Sequence, residues 1–380
     1  MQGATKPKNK SAVLSRTVQK YITFTLTLAL TLALLLFSRS PAEGIRASLR
    51  LCYTTVIPSV FPFMVISSFL ISVGAHRVLG RIFSLPIRII FGCSDTAASA
   101  VFLGFLCGFP IGGASAAALY DKGEISADEL ERILTFSNNP GAAFVIGGVG
   151  ISLFNSARIG RVIYFSAVIA ACLTGMISRL FYSKQTNLIN NKSSAASVFP
   201  KPSAALTSAL SDSALNMLRV CSCVLFFSVP VGIVGEIFDT VGMPQIFTSL
   251  FSSFLEMSGG VGSTSVLKPP IVAAMVCAFA VSWSGLSVHL QVLSVASRSG
   301  VSFFPYFISK LFQGLLSPLI VYLYLRFLTD PSELSFSSTP AEIAASPLFQ
   351  RVFFTAFILS LLIFITKKDK NRVIKLHLDI

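Results

Sequence analysis

Charged residues and histidines are scarce in this sequence. Only 12% of its 380 residues are charged and only three are histidine. A water-soluble surface needs more charge than this, and the mean hydropathy of +0.75 points to a membrane protein instead. The seven cysteines are odd in number and lie mostly in apolar segments, so we interpret them as small core residues and not as a disulfide framework.

The same scarcity argues against catalysis. No His and Cys cluster occurs at metal-ligand spacing, so we predict no metal site. No paired intramembrane carboxylates and no Ser-His-Asp arrangement can be named either, so we predict that the protein is not an enzyme and has no cofactor. A coupling ion for a transport process stays open.

Long apolar runs dominate the chain instead. Runs such as "TLTLALTLALLLF" are apolar on every face, which excludes the alternating strands of a membrane barrel and predicts helices. We therefore expect an all-α, polytopic membrane protein. The predicted crossings, each near the roughly 20 residues that a bilayer requires, are 21–38, 51–73, 95–120, 161–182, 218–238, 269–297, 303–328 and 348–366.

The formal charge of +14 reflects membrane topology. Lys and Arg lie in tails and short loops and form no continuous stripe, so we expect no nucleic-acid partner. The basic residues before the first apolar run place the N-terminus in the cytoplasm by the positive-inside rule. Residues 75–91 are basic and amphipathic, so we expect them to lie in the headgroup plane against anionic lipid.

A polar segment divides the chain into two halves with weak similarity to each other. "LRLC" at 49–52 matches "LRVC" at 218–221, and residues 108–123 align with 285–300. Chance identity among Leu-rich segments is the alternative. The predicted units are a basic N-tail (1–20), a first helix (21–40), a first repeat (41–183), a polar linker (184–205), a second repeat (206–366) and a basic C-tail (367–380).

Repeats with interrupted helices at matching positions are typical of transporters with a midplane binding site. Two inverted halves plus the first helix give an odd number of crossings, whereas two cytoplasmic basic tails require an even number. The number of crossings therefore stays open.

"SNNPGAAFVIGGVG", residues 137–150, is the first candidate site. Ser126 and Glu129 have capping-box spacing and start a helix, which Pro140 ends. The apolar arm that follows is too short to cross a bilayer, so we predict a re-entrant hairpin whose tip carries Asn138 and Asn139. Helix-end carbonyls and amides at such a tip can bind a polar solute. An ordinary surface turn is the alternative.

"SWSGLSVHLQV", residues 282–292, is the second candidate site, because polar groups in hydrocarbon usually face a cavity or another helix. A histidine satisfied by a neighbouring carbonyl is the alternative for His289. The glycines of "GFLCGFPIGGAS", residues 104–115, either are small-residue packing points between helices or let the backbone approach a ligand. The predicted substrate-binding residues are Asn138, Asn139, Gly141, Ser284, Ser287, His289 and Gln291, with backbone lining from Gly108, Pro110, Gly112 and Gly285 and polar support from Glu256.

The segments at 108–150, 255–260 ("LEMSGG") and 282–292, taken together, resemble the YlbJ-like sporulation integral membrane proteins. That family carries the nucleoside-recognition, or Gate, domain, which is similar to segments of concentrative nucleoside transporters, ferrous-iron transport protein B and spore maturation proteins. The resemblance spans about residues 45–330. The family's Asn-Asn-Ser-Gly-Pro becomes Asn-Asn-Pro-Gly-Ala at 138–142 here, so the proline has moved and the turn geometry differs.

This resemblance implies a multi-pass protein of the cytoplasmic membrane, needed for spore cortex or envelope formation. We expect a transporter-like core that recognises or moves a small polar solute, nucleoside-like or a cell-envelope precursor. The alternative is a structural or scaffolding protein of the sporulation machinery. The expected partners are membrane lipid, the small solute and other sporulation membrane proteins.

Overall fold

A computed structural model describes residues 10–37, 39–181, 201–296 and 300–328. Helices account for nearly all of this part of the chain, which contains no strand, so the all-α prediction is confirmed. The α-helices are α1 (Lys10–Leu36), α2 (Arg39–Leu51), α3 (Ile57–Ser72), α4 (His76–Phe91), α5 (Ala97–Cys107), α6 (Ile111–Asp121), α7 (Ala127–Ser137), α8 (Ala157–Phe181), α9 (Pro202–Thr240), α10 (Gln245–Leu255), α11 (Met257–Ser263), α12 (Pro270–Trp283), α13 (Gly285–Ala296) and α14 (Phe304–Phe327).

Several of these helices are long and apolar enough to cross a bilayer. In the described residues, α8, α9, the pair α12–α13, and α14 meet that condition, which gives four spans, or up to six if the bent pairs α1–α2 and α3–α4 each count as one. The crossing predicted at 348–366 and the C-tail lie outside the described residues. Helix α1 begins at Lys10, within the predicted N-tail, and α9 begins at Pro202, within the predicted linker.

Two helical hairpins interrupt the series of long helices. In the first, α5 and α6 pack side by side, and a Cβ on Gly112 would stand only 2.8 Å from the Cα of Gly104. In the second, α10 and α11 pack against each other where a Cβ on Gly260 would stand 2.3 Å from the Cα of Ser253. The single crossing predicted at 95–120 was therefore wrong, because small residues let its two arms fold onto each other.

The predicted re-entrant hairpin at 127–150 was also wrong. After α7 the chain continues as a π-helix, Ala143–Ile151, and both segments pack along α8. Phe136 of α7 meets Gly175, whereas Gly150 of the π-helix meets Gly160. Because the two contacts lie about four helical turns apart on α8, α7 and the π-helix run end to end as one interrupted helix.

The pair α12–α13 is the second interrupted helix, and its break lies at Ser284, whose φ is 76°. Each half therefore contains a hairpin followed by an interrupted helix, and the hairpin turn packs on the interruption. A Cβ on Gly108 would stand 2.4 Å from the Gly141 nitrogen, and one on Gly285 would stand 2.9 Å from the Met257 nitrogen. The counterpart of the Gly108 turn is thus the turn at Met257, and the alignment of 108–123 with 285–300 was wrong.

Each of two buried apolar clusters contains residues from both halves of the chain. Val288 and Val292 of α13 pack with Leu130 and Ile133 of α7 in one buried cluster. The π-helix in turn packs with α11, α12 and α14 in another cluster, which includes Val149. Each interrupted helix therefore ends among the helices of the other half, which brings the two interruptions together.

Helix α4, which was predicted to lie along the membrane surface, turns by 97° from α3. His76 and Arg77 at its start each lie 3.0 Å from a carboxylate oxygen of Glu124, in the loop before α7. Partial burial alone would raise the pKa of Glu124, but these two hydrogen bonds outweigh burial and hold its pKa below the ordinary value.

Candidate functional site

The interruption after α7 is held by its two asparagines. The Asn138 side chain accepts from the Gly113 amide at 2.9 Å and donates to the Leu134 carbonyl at 3.3 Å. The Asn139 amide donates to the Phe136 carbonyl at 2.8 Å, and the Asn139 carbonyl accepts from Phe109 of the hairpin turn at 2.7 Å. In this conformation the asparagines join the interruption to the first hairpin.

The interruption after α12 is held by an aromatic group. Trp283 is fully buried, and its indole nitrogen donates to the Phe254 carbonyl of the second hairpin at 3.0 Å. The two rings are stacked, with centroids 5.2 Å apart. The Ser284 hydroxyl donates back to the Val281 carbonyl at 3.2 Å, so its side chain closes the helix end on which it lies.

Lys310 of α14 connects the two interruptions. Its side chain is completely buried, and its ammonium donates to the backbone oxygen of Asn138. It also lies within hydrogen-bond distance of the Ser282 carbonyl, at 3.4 Å, and of Gln313 Oε1, at 3.1 Å. Both backbone oxygens lie at a helix C-terminus, where carbonyls lack intrahelical partners and attract positive charge.

The oxygens around this lysine match the donors of an ammonium group. An ammonium has three donors and no acceptor, and the three oxygens around Lys310 match that number. Gln313 is itself fixed, because its amide donates to the Thr135 carbonyl of α7 at 2.8 Å. Through these hydrogen bonds Lys310 and Gln313 join α7, α12 and α14 to one another.

Four buried polar atoms near the interruptions lack a hydrogen-bond partner among the described residues. Ser137 precedes Asn138, and Ser282 supplies one of the carbonyls that Lys310 binds. Ser287 and His289 lie on α13, just after the second interruption. A buried polar atom without a partner costs free energy, so these atoms are the strongest candidates for contact with a polar ligand. They are Ser137 Oγ, Ser282 Oγ, Ser287 Oγ and His289 Nε2.

One of the two ring nitrogens of His289 already has a hydrogen-bond partner. Its Nδ1 shares a hydrogen bond of 3.0 Å with the Tyr306 hydroxyl. Its ring packs edge-on against Trp283, with centroids 4.5 Å apart, and also lies beside Phe307. These contacts hold the imidazole in a fixed orientation. Nε2 is the ring nitrogen that can form a hydrogen bond with a ligand.

Glu256 forms the turn of the second hairpin. It is 2% exposed, and its carboxylate oxygens accept the amides of Ser258 at 3.0 Å and Gly259 at 2.5 Å, which caps α11. Its observed contacts are therefore those of a structural cap. Ser126 likewise caps α7, but Glu129 does not complete the capping box, because its carboxylate accepts from Ser94 instead.

The glycines of the first hairpin lie against other backbone segments. A Cβ on Gly112 would stand 2.3 Å from the Ser137 carbonyl, and one on Gly141 would stand 3.1 Å from the Cys107 carbonyl. Pro110 is the N-cap of α6. Gly108, two residues earlier, has a φ of 84°, which few residues other than glycine adopt. The absence of side chains at these glycines therefore lets the backbone segments pack closely against one another.

Sequence reasoning missed the residues that connect the two halves. Lys310 and Gln313 lie in a segment that was considered only as an apolar crossing. An isolated lysine inside such a segment is a signal in itself, since charged groups at membrane depth mark functional or paired positions. Gln291, one of the predicted substrate-binding residues, is buried on α13.

The fold and these contacts define a multi-pass, all-α membrane protein with two hairpins and two interrupted helices joined in its interior. The chain is 24% identical over 329 residues to the "Sporulation integral membrane protein YlbJ" of Bacillus subtilis (strain 168), a match that covers 78% of this chain and 80% of that protein. No family model matches the chain.

Two solved structures of the concentrative nucleoside transporter CNTnw are also similar. A variant in an outward-facing state has a TM-score of 0.40 and 12% identity, covering 83% of this chain and 87% of that chain. A variant in an intermediate state has a TM-score of 0.37 and 12% identity, covering 83% of this chain and 88% of that chain.

Proposed function

We propose that this protein acts in sporulation in the cytoplasmic membrane, with its N-terminus in the cytoplasm, and that its core recognises or moves a small polar solute. The similarity to a sporulation integral membrane protein over most of both chains supports the first part. The solute is nucleoside-like or a cell-envelope precursor, and its recognition serves formation of the spore cortex or envelope.

The observation that carries the solute-binding part is the set of unpartnered polar atoms at the two interruptions. Three hydroxyls and one imidazole nitrogen are buried without a hydrogen-bond partner in the part of the chain that the structure describes. Neutral donors and acceptors of this kind match the hydroxyls of a sugar or the edge of a base. The ligand would lie beside the helix ends that Lys310 bridges, with Ser287 and His289 as its main contacts from α13.

A scaffolding function is the second candidate, and the asparagines favour it. Both donate to backbone carbonyls of α7, and both are joined to the first hairpin through Gly113 and Phe109. Groups that are already satisfied in this way gain little from a ligand. Under this alternative the interior is a fixed frame, and contact with other sporulation membrane proteins is what matters.

Binding to the purified, full-length protein in proteoliposomes separates the two functions. We would measure uptake and equilibrium binding of a panel of nucleosides and cell-wall precursors. Ser287→Ala and His289→Ala should weaken binding of the recognised solute by about tenfold each, since a buried hydrogen bond to a ligand is worth roughly 1 kcal/mol or more. Ser265→Ala, which changes an exposed serine, is the matched control.

Spore formation by the native host supplies the second measurement. If the protein recognises a solute, the α13 variants should lower the yield of heat-resistant spores although the protein accumulates normally. If no solute on the panel binds and the variants sporulate like the wild type, the solute-binding function is refuted and scaffolding is retained. Asn138→Ala and Asn139→Ala should reduce protein accumulation under either function, because both asparagines hold the fold.

A further inference from the structure

A buried arginine lies beside the turn at which α4 ends. Arg132 of α7 is 8% exposed, and arginine keeps its charge in proteins. Its Nη1 donates to the Gly92 carbonyl at 3.3 Å, whereas its Nε and Nη2 have no hydrogen-bond partner among the described residues. A buried guanidinium with two free donors requires a partner that bears negative charge.

The two free nitrogens define the chemistry of that partner. Nε and Nη2 lie on the same edge of the guanidinium and can donate in parallel to two oxygens of one carboxylate or phosphate group. This pairing is stronger and more directional than a contact with a single oxygen. The free edge of Arg132 is therefore suited to a planar or tetrahedral oxyanion.

A second arginine meets the first at the same turn. Arg179 near the end of α8 donates through Nη1 to the Ile89 carbonyl at 2.6 Å. Its Nε lies 3.2 Å from the point where a Cβ of Gly92 would stand, and Arg132 Nη2 lies 3.4 Å from that point. Two positive charges this close repel each other unless an anion lies between or beside them.

The acid one helical turn before Arg132 on α7 does not supply that anion. Glu129 lies one turn before Arg132, but its carboxylate oxygens accept from the Ser94 amide at 2.6 Å and from the Ser94 hydroxyl at 3.1 Å. The ion pairs that join two described residues are those of Glu124 with His76 and Arg77, and Arg132 and Arg179 belong to neither. The charge of the arginine pair is thus left for a ligand from outside the described part of the chain.

The position of the turn indicates where such a ligand comes from. Helix α4 exposes Ile82, Leu85 and Ile89 and lies nearly perpendicular to α3, as expected for a helix at the membrane surface. Phosphate groups of lipids and of soluble metabolites are both present at that depth. We propose that Arg132 and Arg179 form a binding site at the Gly92 turn for a phosphate-type oxyanion, carried by an anionic lipid headgroup or by a soluble phosphorylated compound. This site is independent of the solute-binding function proposed above.

The test uses the full-length protein in detergent and two phosphate sources. Native mass spectrometry and thermal unfolding would be measured with phosphatidylglycerol, with phosphatidylcholine, and with glycerol 3-phosphate. Wild type should retain phosphatidylglycerol or glycerol 3-phosphate and unfold at a higher temperature in its presence. Arg132→Gln and Arg179→Gln should each weaken that binding by about tenfold or more, as expected for lost charge-assisted hydrogen bonds.

The control is Arg81→Gln, which removes the same charge from an exposed position on α4. Arg132→Lys keeps the charge but loses the two-donor edge, so it should bind weakly as well. If lipid binds and glycerol 3-phosphate does not, the ligand is a headgroup, and the reverse result assigns a soluble compound. If neither probe binds, or if Arg81→Gln weakens binding as much as Arg179→Gln, the site does not exist. Arg179 is exposed, so its variant should fold even if Arg132→Gln does not.

Discussion

Gly112→Ala is the most direct test of how the first hairpin packs on the interrupted helix. An added Cβ would stand 2.3 Å from the Ser137 carbonyl oxygen and 2.8 Å from the Gly104 Cα. Both neighbours are backbone atoms, so no side chain can rotate away. Ordinary contact begins at 3.4 Å, so α6 must move by roughly 1 Å from α7 or from α5.

The size of the effect follows from two opposing contributions. Overpacking of this kind costs about 1–3 kcal/mol, and contact with two backbone segments favours the upper end. Alanine in place of glycine inside a helix stabilises the helix by about 1 kcal/mol. We therefore expect a net loss of about 2 kcal/mol of stability, which for a chain of 380 residues lowers the unfolding temperature by roughly 2–4 °C.

Thermal unfolding of the purified protein in detergent measures this loss. Gly262→Ala is the matched control, because a Cβ at that helical position would meet nothing within 4 Å. It should leave the unfolding temperature unchanged or raise it slightly. If Gly112→Ala unfolds at the same temperature as Gly262→Ala, the close packing of the hairpin is refuted, and ligand approach becomes the better explanation of these glycines.

Three further predictions concern buried and interfacial polar groups. Because the pKa of Glu124 is lowered on folding, its contribution to stability is present above about pH 4.5 and is lost as the pH falls through the folded value. In a plot of unfolding temperature against pH, Glu124→Gln should therefore reduce the fall at acid pH. The control is Asp121→Asn, which changes an exposed acid nearby and should leave that fall unchanged. Glu256→Gln keeps only one acceptor for the two amides that it caps and should cost about 1–2 kcal/mol in thermal unfolding; no change would contradict the cap. Tyr306→Phe removes the partner of His289 Nδ1 and should cost about 1–3 kcal/mol, and an unchanged unfolding temperature would show that the hydrogen bond contributes nothing.

The fold class could be predicted because hydropathy alone determines it. Apolar runs without alternation permit only helices in a bilayer, and Pro140 and Gly141 mark a helix end by local geometry. The start of α7 at Ser126 follows from its capping hydroxyl in the same way. Each of these features depends on residues within one or two helical turns, which a sequence displays directly.

The direction of the chain after each break could not be predicted. Two short helical arms on either side of a break can fold back or continue, and local sequence is compatible with both. Contact with a distant helix decides the direction. The two arms around Asn138 continue along α8, which they contact through Phe136 and Gly150. Gly104 and Gly112, placed on either side of the 108–110 turn, do mark a close crossing of two arms, and that signal was available in the sequence.

Lys310 imposes a condition on any movement of the core. A transporter must change the distance between groups on its two halves during its cycle, yet this ammonium donates to the ends of both α7 and α12. Separating the interruptions would leave helix-end carbonyls and the buried amino group of Lys310 without partners, at a cost of roughly 1–3 kcal/mol for each group left unsatisfied. Movement is therefore feasible only if a ligand or water replaces those contacts, or if both interruptions move together with α14 as one unit. The second course preserves every hydrogen bond of Lys310 and Gln313, so we expect α7, α12 and α14 to move as a rigid group relative to α3 and α9.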